Sequence, residues 1–256
     1  MKKLLRFLFS IYGHLWFVIL LLLLLPGFFI GSLFGRIKGG NLIYRICNWW
    51  SDAWLFLIGI RVPVIHEAEK SEHRPCIFVA NHISYLDIPM IVKVIREPVR
   101  VLGKQEMAKI PVFGFVYRNA VVMVDRKDTS QRAKSVNILK RVLGRNVSIF
   151  IFPEGTFNES GAPLKSFYDG AFRIALETRT PIQPVIFPDT VKRLNHKSVF
   201  SLNPGICRAV YLPMVNTDEY ADSDVRVLKA KVFSMMESAL VRYGLNEQNI
   251  DRNNYR

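Results

Sequence analysis

An uncharged run near the amino terminus most constrains how this chain can fold. Residues 7–35 contain no Asp, Glu, Lys or Arg, whereas about 20 apolar residues are enough to cross the hydrocarbon core of a bilayer. The run therefore predicts a membrane-associated segment. It ends at 30–34 in Ile-Gly-Ser-Leu-Phe rather than in a small-residue cleavage site, so we do not expect a cleaved signal peptide.

Pro26 and Gly27 interrupt the helical pattern of this run. The segment can therefore span the bilayer with a kink, or enter it and return to the same face. Basic residues stand at both ends of the run, so the positive-inside rule does not choose between the two arrangements.

The balance of charge points to an anionic partner surface. The chain carries 35 basic and 21 acidic residues, a formal net charge of +14, which attracts either nucleic acid or anionic lipid. The basic residues nearest the apolar run favour lipid, because no acidic residue interrupts them. They are Lys2, Lys3, Arg6, Arg36, Lys38 and Arg45. The sequence lacks RNA-binding signatures and zinc-finger spacing, so nucleic acid is not an expected partner.

A second apolar stretch, residues 41–60, has helical periodicity. Its spaced apolar residues are Ile43, Ile46, Trp50, Trp54 and Leu57. One interpretation is a helix in the membrane interface with its indoles at headgroup depth. The other is an ordinary amphipathic helix packed on the domain core.

Beyond Pro63, short apolar runs alternate with longer helical patterns, which is typical of an α/β fold. We predict an αβα layered domain at 61–245 with a mixed, mostly buried sheet, after a membrane anchor at 1–60 and before a polar tail at 246–256. The predicted strands are 62–66, 76–80, 99–102, 120–124, 148–152, 183–187 and 206–212. The predicted helices are 86–95, 130–143, 170–177 and 224–243.

The three cysteines suggest neither a disulfide framework nor a thiolate zinc site. Cys47, Cys76 and Cys207 are widely spaced and odd in number. Cys76 lies in an apolar run and is predicted to be a core residue. No other cluster of metal-binding side chains stands out, so no metal is expected.

One histidine follows directly after a predicted buried strand. His82 comes two residues after the strand at 76–80, and Asp87 comes five residues later. Strand ends that lead into helices are where α/β sheets place their sites, and a histidine beside a carboxylate can take a proton from an alcohol. Within one straight helix the two side chains would point apart, so they meet only if His82 precedes the helix. Such a pair can also be structural.

Residues 81–87, which read NHISYLD, resemble the NH-x-x-x-x-D signature of the glycerolipid acyltransferase family typified by 1-acylglycerol-3-phosphate acyltransferases. Further blocks follow in that family's order, and together they cover residues 80–187. They are Gly103 to Glu106 with Pro111 and Gly114, Val124 to Arg126, Phe152 to Thr156, Lys165 to Phe172, and Pro181 to Val185.

This resemblance implies an enzyme that moves a fatty acyl group from an acyl-CoA or acyl-carrier-protein thioester to a lysophospholipid hydroxyl. The expected acceptor is 1-acylglycerol 3-phosphate, and the expected product is phosphatidic acid. His82 would be the general base and Asp87 would orient it. Direct transfer needs no acyl-enzyme and no cofactor besides the thioester. Backbone N–H groups near Gly155 are candidate donors to the oxyanion.

The resemblance also implies a set of substrate-binding residues: Lys104, Arg126, Glu154, Gly155, Thr156 and Lys165. Glu154 suits a scaffold or hydroxyl-binding role better than contact with phosphate, which it would repel. The family's usual arginine after Thr156 is Phe157 here. Either Lys104, Arg126 or Lys165 then holds the acceptor's phosphate, or the acceptor lacks a phosphomonoester. We favour the first.

Three other functions stay open at this stage. They are acyl transfer to another hydroxyl lipid, lipid binding at the membrane surface without turnover, and lipid hydrolysis with the same base. For the enzyme we expect a membrane-bound protein on the cytoplasmic face of the inner membrane. There, the acceptor stays in one leaflet and the donor arrives from the cytosol.

Overall fold

The computed structural model describes residues 2–69, 75–124 and 129–245. The predicted tail at 246–256 and the Asp125–Arg126 pair lie outside these ranges. The strands are β1 Ile60–Arg61, β2 Val64–His66, β3 Ile77–Ala80, β4 Val99–Lys104, β5 Val121–Val124, β6 Ser148–Ile151, β7 Ile182–Ile186, β8 Gly205–Ile206 and β9 Ala209–Tyr211. The α-helices are α1 Lys2–Leu23, α2 Leu25–Ser32, α3 Gly40–Leu57, α4 Asp87–Val94, α5 Phe113–Ala120, α6 Thr129–Leu143, α7 Gly170–Glu177, α8 Thr190–Arg193 and α9 Val225–Arg242.

Seven strands form one sheet in the order β2-β9-β7-β3-β6-β4-β5. Its neighbouring strands are parallel except for the antiparallel pair β7 and β9, so the predicted mixed sheet is confirmed. The central strands β3, β6 and β7 are buried along their whole length. Their near-continuous apolar sequences are what a parallel strand covered on both faces requires.

Two predicted strands differ from the structure. The strand predicted at 62–66 is β2 alone, which begins after Pro63, and β1 lies just before the predicted range; the strand predicted at 206–212 is divided into β8 and β9. β1 pairs with β8 in a separate two-stranded sheet, whereas β2 pairs with β9 in the main sheet. Pro63 cannot donate to a ladder, and its carbonyl accepts from the backbone N–H of Ala209 at 3.0 Å.

Helices cover both faces of the sheet, which confirms the αβα layers. Ile77 and Val79 of β3 pack with apolar residues of α6, α7 and α9. Phe78 and Ala80, which point to the opposite face, pack with α3, α4 and α5. The alternation follows from the two-residue period of a strand. Each face is thus sealed by three helices.

The amino-terminal segment folds as a helical hairpin against the domain. Helices α1 and α2 run along α3 in the opposite direction, since Trp54 Nε1 donates to the carbonyl of Gly13 at 2.8 Å and the Phe17 ring lies 4.6 Å from the Trp50 ring. A π-helical turn at Gly35–Gly39 connects α2 to α3. Lys3–Leu23 is the one helix among the described residues long and apolar enough to cross a membrane.

Helix α3 packs on the domain core, in line with the second of its two interpretations. Tyr44 Oη donates to the carbonyl of Ile95 at 3.0 Å, and Ser51 Oγ donates to the carbonyl of Pro89 at 2.8 Å. Trp50 and Trp54 are buried between α1 and α3. The apolar surface of their indoles is therefore covered by the preceding helix.

A buried arginine fastens the turn of the hairpin to the sheet. Arg100 in β4 donates to the carbonyls of Arg36 and Ile37 at 3.1 and 3.0 Å and to Asn41 Oδ1 at 2.8 Å. Burial lowers the pKa of this guanidinium to about 10. At the other end of the hairpin, Ser10 Oγ accepts from the backbone N–H of Leu202 at 3.1 Å. The hairpin therefore lies along the domain and is attached at both ends.

Candidate active site

Three neighbouring strands bring the candidate residues to one edge of the sheet. β3, β6 and β4 are parallel, with Val79 level with Ile151 and Val101 level with Phe150. His82 follows β3, Glu154 follows β6, and Lys104 ends β4. Because adjacent strands lie about 4.8 Å apart, the segments after β3 and β6 are direct neighbours, and Lys104 is one strand further along.

The asparagine before the histidine fixes the strand end. Asn81 Nδ2 donates to the carbonyl of Phe187 at 3.2 Å, and Asn81 Oδ1 accepts from the backbone N–H of Phe187 at 2.7 Å. This side chain is fully buried. Its two hydrogen bonds join the ends of β3 and β7 and set the direction in which the chain leaves β3.

His82 and Asp87 form a hydrogen-bonded pair. Helix α4 begins at Asp87, which leaves His82 in the turn before the helix. Nδ1 of His82 lies 2.8 Å from Oδ2 of Asp87, which also accepts from the backbone N–H groups of Ile83 and Ser84 at 2.8 and 2.9 Å. An ionised carboxylate only accepts, so Nδ1 carries the proton and Nε2 is left with a free lone pair.

Glu154 braces two loops of the site. Its Oε1 accepts from the backbone N–H of His82 at 2.7 Å, and its Oε2 accepts from that of Lys165 at 2.9 Å. The side chain is fully buried. Burial, with a contribution from Asp87, raises the pKa of Glu154 to about 8, although the two backbone hydrogen bonds oppose the rise. Both oxygens are committed to the scaffold role that the sequence left open.

Gly155 allows the turn after β6. It has a φ of +76°, a conformation that glycine adopts without strain. Its own N–H donates to the carbonyl of Phe152 at 3.1 Å. This group is therefore already bonded inside the turn, and any oxyanion donor from this loop must come from a neighbouring residue.

Lys165 and Thr156 lie together beside this turn. Nζ of Lys165 donates to Oγ1 of Thr156 at 3.0 Å, and both residues are half-buried. Lys104 is exposed at the end of β4, where its carbonyl accepts from Tyr117 Oη at 2.9 Å. Arg126 lies outside the described residues. The fold thus places an ammonium group next to the turn that Glu154 joins to His82.

Sequence reasoning missed the aromatic residues around His82. Its ring stacks on Phe152 with centroids 3.9 Å apart and lies 4.3 Å from the ring of Phe157. His196 lies 5.9 Å from Phe157, and its Nδ1 is 3.2 Å from the carbonyl of Ile83. Phe152 belonged to a recognised block, but no spacing signal joins residues more than 110 positions apart, such as His196 and Ile83.

No group of three or more His, Cys, Asp or Glu side chains in 2–69, 75–124 or 129–245 is arranged to hold a metal ion. None of Cys47, Cys76 and Cys207 forms a disulfide in the described part of the chain, and Cys76 is buried as predicted.

Comparison with known proteins agrees with this geometry. The acyltransferase family model matches residues 62–188. The chain is 31% identical over 189 residues to a 1-acyl-sn-glycerol-3-phosphate acyltransferase of Salmonella typhimurium, covering 72% of this chain and 74% of that protein. It is 29% identical over 185 residues to the human 1-acyl-sn-glycerol-3-phosphate acyltransferase beta, covering 72% and 66% of the two chains.

A solved structure shares the fold. The crystal structure of the 1-acyl-sn-glycerophosphate (LPA) acyltransferase from Thermotoga maritima superposes with a TM-score of 0.74, at 21% identity, over 95% of this chain and 98% of that one. With the paired histidine and aspartate at the carboxyl edge of a matching sheet, and with relatives that cover most of the chain, this protein belongs to the acyltransferase family and is an acyltransferase.

Proposed function

We propose that this enzyme transfers a fatty acyl group from a thioester to the sn-2 hydroxyl of 1-acylglycerol 3-phosphate and yields phosphatidic acid for phospholipid biosynthesis. The observation that carries the proposal is the 2.8 Å hydrogen bond between His82 Nδ1 and Asp87 Oδ2. It leaves Nε2 as the base. The Salmonella and human relatives are 1-acyl-sn-glycerol-3-phosphate acyltransferases, which supports this acceptor. The donor is acyl-CoA or acyl carrier protein.

The chemistry follows from the free Nε2 of His82. This nitrogen takes the proton of the acceptor hydroxyl while the hydroxyl oxygen attacks the thioester carbonyl. The carbon–sulfur bond then breaks, and the imidazolium returns the proton to the leaving thiolate. Asp87 stabilises the imidazolium and keeps Nδ1 protonated. The step forms an ester and a free thiol, and it requires no protein nucleophile.

The acceptor's phosphate is assigned to the cations beside the turn. Lys165 is the strongest candidate, because its Nζ is held by Thr156 and its backbone N–H shares Glu154 with His82. Lys104 can contribute from the end of β4, and Arg126 stays a candidate from the sequence. The carboxyl of Glu154 is buried and bonded to two backbone groups, so it holds these parts in place rather than meeting the anion.

The hairpin of α1 to α3 would attach the enzyme to one face of a membrane. One stripe of α1 exposes apolar side chains at helical spacing, namely Leu4, Leu8, Ile11, Leu15, Val18 and Leu22. The other side of the hairpin rests on the domain, so the stripe faces away from it. An amphipathic layer of this kind enters one leaflet. We place it on the cytoplasmic face of the inner membrane, where the thioester donor is available.

The test is transfer of a radiolabelled acyl group from acyl-CoA or acyl carrier protein to a panel of lysolipids. Wild type is compared with His82→Ala and with His66→Ala. His66 is a matched control because it is also a histidine stacked on an aromatic ring, that of Tyr211. It lies in the edge strand β2, three strands away from β3 and His82. We expect label in phosphatidic acid from wild type and His66→Ala, and a loss of about a thousandfold or more in His82→Ala.

Other outcomes would redirect the proposal. Label in a different lipid would keep the base but replace the acceptor. Free fatty acid in the absence of any acceptor would indicate a hydrolase. Full activity of His82→Ala would show that His82 is not the general base. No turnover by wild type on any pair of substrates would favour a lipid-binding protein.

A further inference from the structure

If the proposed function holds, on which the present inference rests, the enzyme must also avoid hydrolysing its own acyl donor. A histidine that deprotonates a lipid hydroxyl can also deprotonate water, and water is far more abundant than any lysolipid. Hydrolysis of the donor would waste the thioester. A transferase with this base therefore needs a way to keep water from Nε2 of His82.

The imidazole of His82 contacts two phenyl rings. Phe152 lies parallel to it at 12° with the ring centroids 3.9 Å apart, which occupies one face. The ring of Phe157 is 4.3 Å away and tilted by 47°, so Phe157 also packs directly against the imidazole. Nδ1 is taken by Asp87.

Little of His82 then remains open. Its side chain is 15% exposed. Phe152 covers one face, Asp87 occupies Nδ1, and Phe157 packs against the ring, so little of the surface around the base is open. Among the described residues, no hydrogen bond to Nε2 is found. Phe157 is thus part of the border of the surface by which water could reach the base.

Phe157 is itself held by two further rings. Tyr85 contacts it at 4.9 Å in an edge-on arrangement, and His196 lies 5.9 Å away on another side. His196 is fixed through Nδ1 at the carbonyl of Ile83. These two neighbours thus keep one phenyl ring against the base.

The ring of Phe157 itself gives an ordered water no partner. A phenylalanine side chain offers no hydrogen bond, and a bridging water needs two or more polar partners. The side chain of Tyr85, which contacts Phe157, is 45% exposed. Such a surface suits the acyl chains of lipids better than water.

We propose that Phe157 is a specificity-determining residue that excludes water from Nε2 of His82, so that the acyl group passes to a lipid hydroxyl and not to water. The reaction that Phe157 suppresses is hydrolysis of the thioester donor. Nε2 would take a proton from water, the hydroxide oxygen would attack the thioester carbonyl, and the carbon–sulfur bond would break. The products would be a free fatty acid and a thiol, with the proton returned to the thiolate.

The experiment measures how acyl groups are divided between lipid and water. Wild type, Phe157→Ala and Phe157→Leu receive radiolabelled acyl-CoA with 1-acylglycerol 3-phosphate, and the ratio of free fatty acid to phosphatidic acid is determined. Phe233→Ala is the matched control. Phe233 is also half-buried and contacts the ring of Phe167 at 5.0 Å, as part of α9 on the other face of the sheet.

We expect the ratio to rise on the order of tenfold in Phe157→Ala and roughly threefold in Phe157→Leu, which refills part of the volume. It should stay at the wild-type value in Phe233→Ala. Adding His82→Ala to Phe157→Ala should abolish the extra hydrolysis, because the released fatty acid arises through the same base. Thiol release without an acceptor should increase in the same order.

An unchanged ratio in Phe157→Ala would overturn the inference, as would an equal rise in the Phe233 control. If Phe157→Ala does not fold, Phe157→Leu decides the question alone, since a swap between large apolar residues is well tolerated. Failure of the proposed function looks different, because wild type itself would then form no phosphatidic acid.

Discussion

At the scale of single residues, Asp87 organises the catalytic turn as well as the base. One of its oxygens accepts from His82 Nδ1 and from two consecutive backbone N–H groups. These backbone bonds hold the turn that precedes α4, and that turn is the reason why positions five apart can meet. The carboxylate therefore sets both the tautomer of His82 and its location.

Replacing Asp87 with asparagine separates these two roles. The amide oxygen can still accept from the backbone, so the turn should form. The amide no longer stabilises the imidazolium or fixes the Nδ1 proton. We expect kcat to fall by about a thousandfold with little change in KM. Steady-state kinetics of acyl transfer test this, and a change confined to KM would contradict it.

Glu154 links pH to stability. Its pKa is raised from 4.5 to about 8, mainly by burial. A carboxyl with a higher pKa in the folded chain than in the unfolded one stabilises the fold below pH 4.5. That contribution is lost as the pH rises towards 8.

Glu154→Gln should reveal this dependence. The variant places an amide NH2 against one of two backbone donors, from His82 and Lys165, and should lose about 1–3 kcal/mol of unfolding free energy at pH 5.5. The deficit should shrink as the pH approaches 8, because only the wild type becomes less stable there. Urea unfolding at several pH values measures it. A deficit that grows with pH would mean that the folded chain prefers the carboxylate.

At the scale of secondary structure, local pattern predicted the elements well. The predicted helix at 170–177 coincides with α7, and the strand predicted at 76–80 differs from β3 by one residue. Apolar periodicity is a local property, so one sequence is enough to detect it. The expectation that His82 meets Asp87 only from the turn before a helix agrees with the start of α4 at Asp87.

The contacts that could not be predicted join distant parts of the chain. Ser84 Oγ donates to the carbonyl of Leu194 at 2.5 Å across 110 positions, and Arg100 reaches back to the hairpin turn. Nothing in the local sequence distinguishes such a buried arginine from the many exposed ones. The position of the Phe157 ring depends on tertiary packing in the same way, because the sequence shows only that the family's arginine is absent.

Arg100 offers a test of how the hairpin is attached. Arg100→Leu would leave the carbonyls of Arg36 and Ile37 and the side chain of Asn41 without this donor. We expect a loss of about 2–4 kcal/mol of unfolding free energy. Arg100→Lys should recover only part of it, because one ammonium cannot reproduce the geometry of the guanidinium.

Arg96→Leu is the matched control on the same stretch of chain. Arg96 pairs with Asp52, and its side chain is 51% exposed, so its removal should cost under about 1 kcal/mol. Denaturant unfolding of both variants in the same detergent makes the comparison. Equal losses would show that Arg100 does not fasten the hairpin.

At the scale of the whole molecule, the hairpin and the catalytic edge share one side of the sheet. Helix α3 packs on α4, the helix that Asp87 begins. The ring of Phe7 in α1 lies 5.0 Å from that of Phe200, which belongs to the short 3-10 helix Val199–Ser201. This helix follows Leu194, whose carbonyl accepts a hydrogen bond from Ser84 Oγ. A lipid surface that meets the outward stripe of α1 would therefore lie near the entrance to His82, and an acceptor could reach the base without leaving its leaflet.

The stripe of α1 should determine membrane binding. Leu15→Glu combined with Leu22→Glu places two charges on side chains that are 57% and 48% exposed, each of which would cost about 2–3 kcal/mol or more in a bilayer centre and less near its surface. The matched control is Val227→Glu with Val241→Glu on α9, which are 58% and 51% exposed on the opposite face of the domain. Sedimentation with neutral vesicles should show release of the first variant and retention of the second.

If the first variant stays bound as tightly as wild type, another surface anchors the enzyme. If both variants are released, added negative charge alone explains the effect. Release of the first variant alone would show that α1 holds His82 at the leaflet that contains the acceptor. The activity of this variant on acceptor in vesicles should then fall more than its activity on acceptor dispersed in detergent.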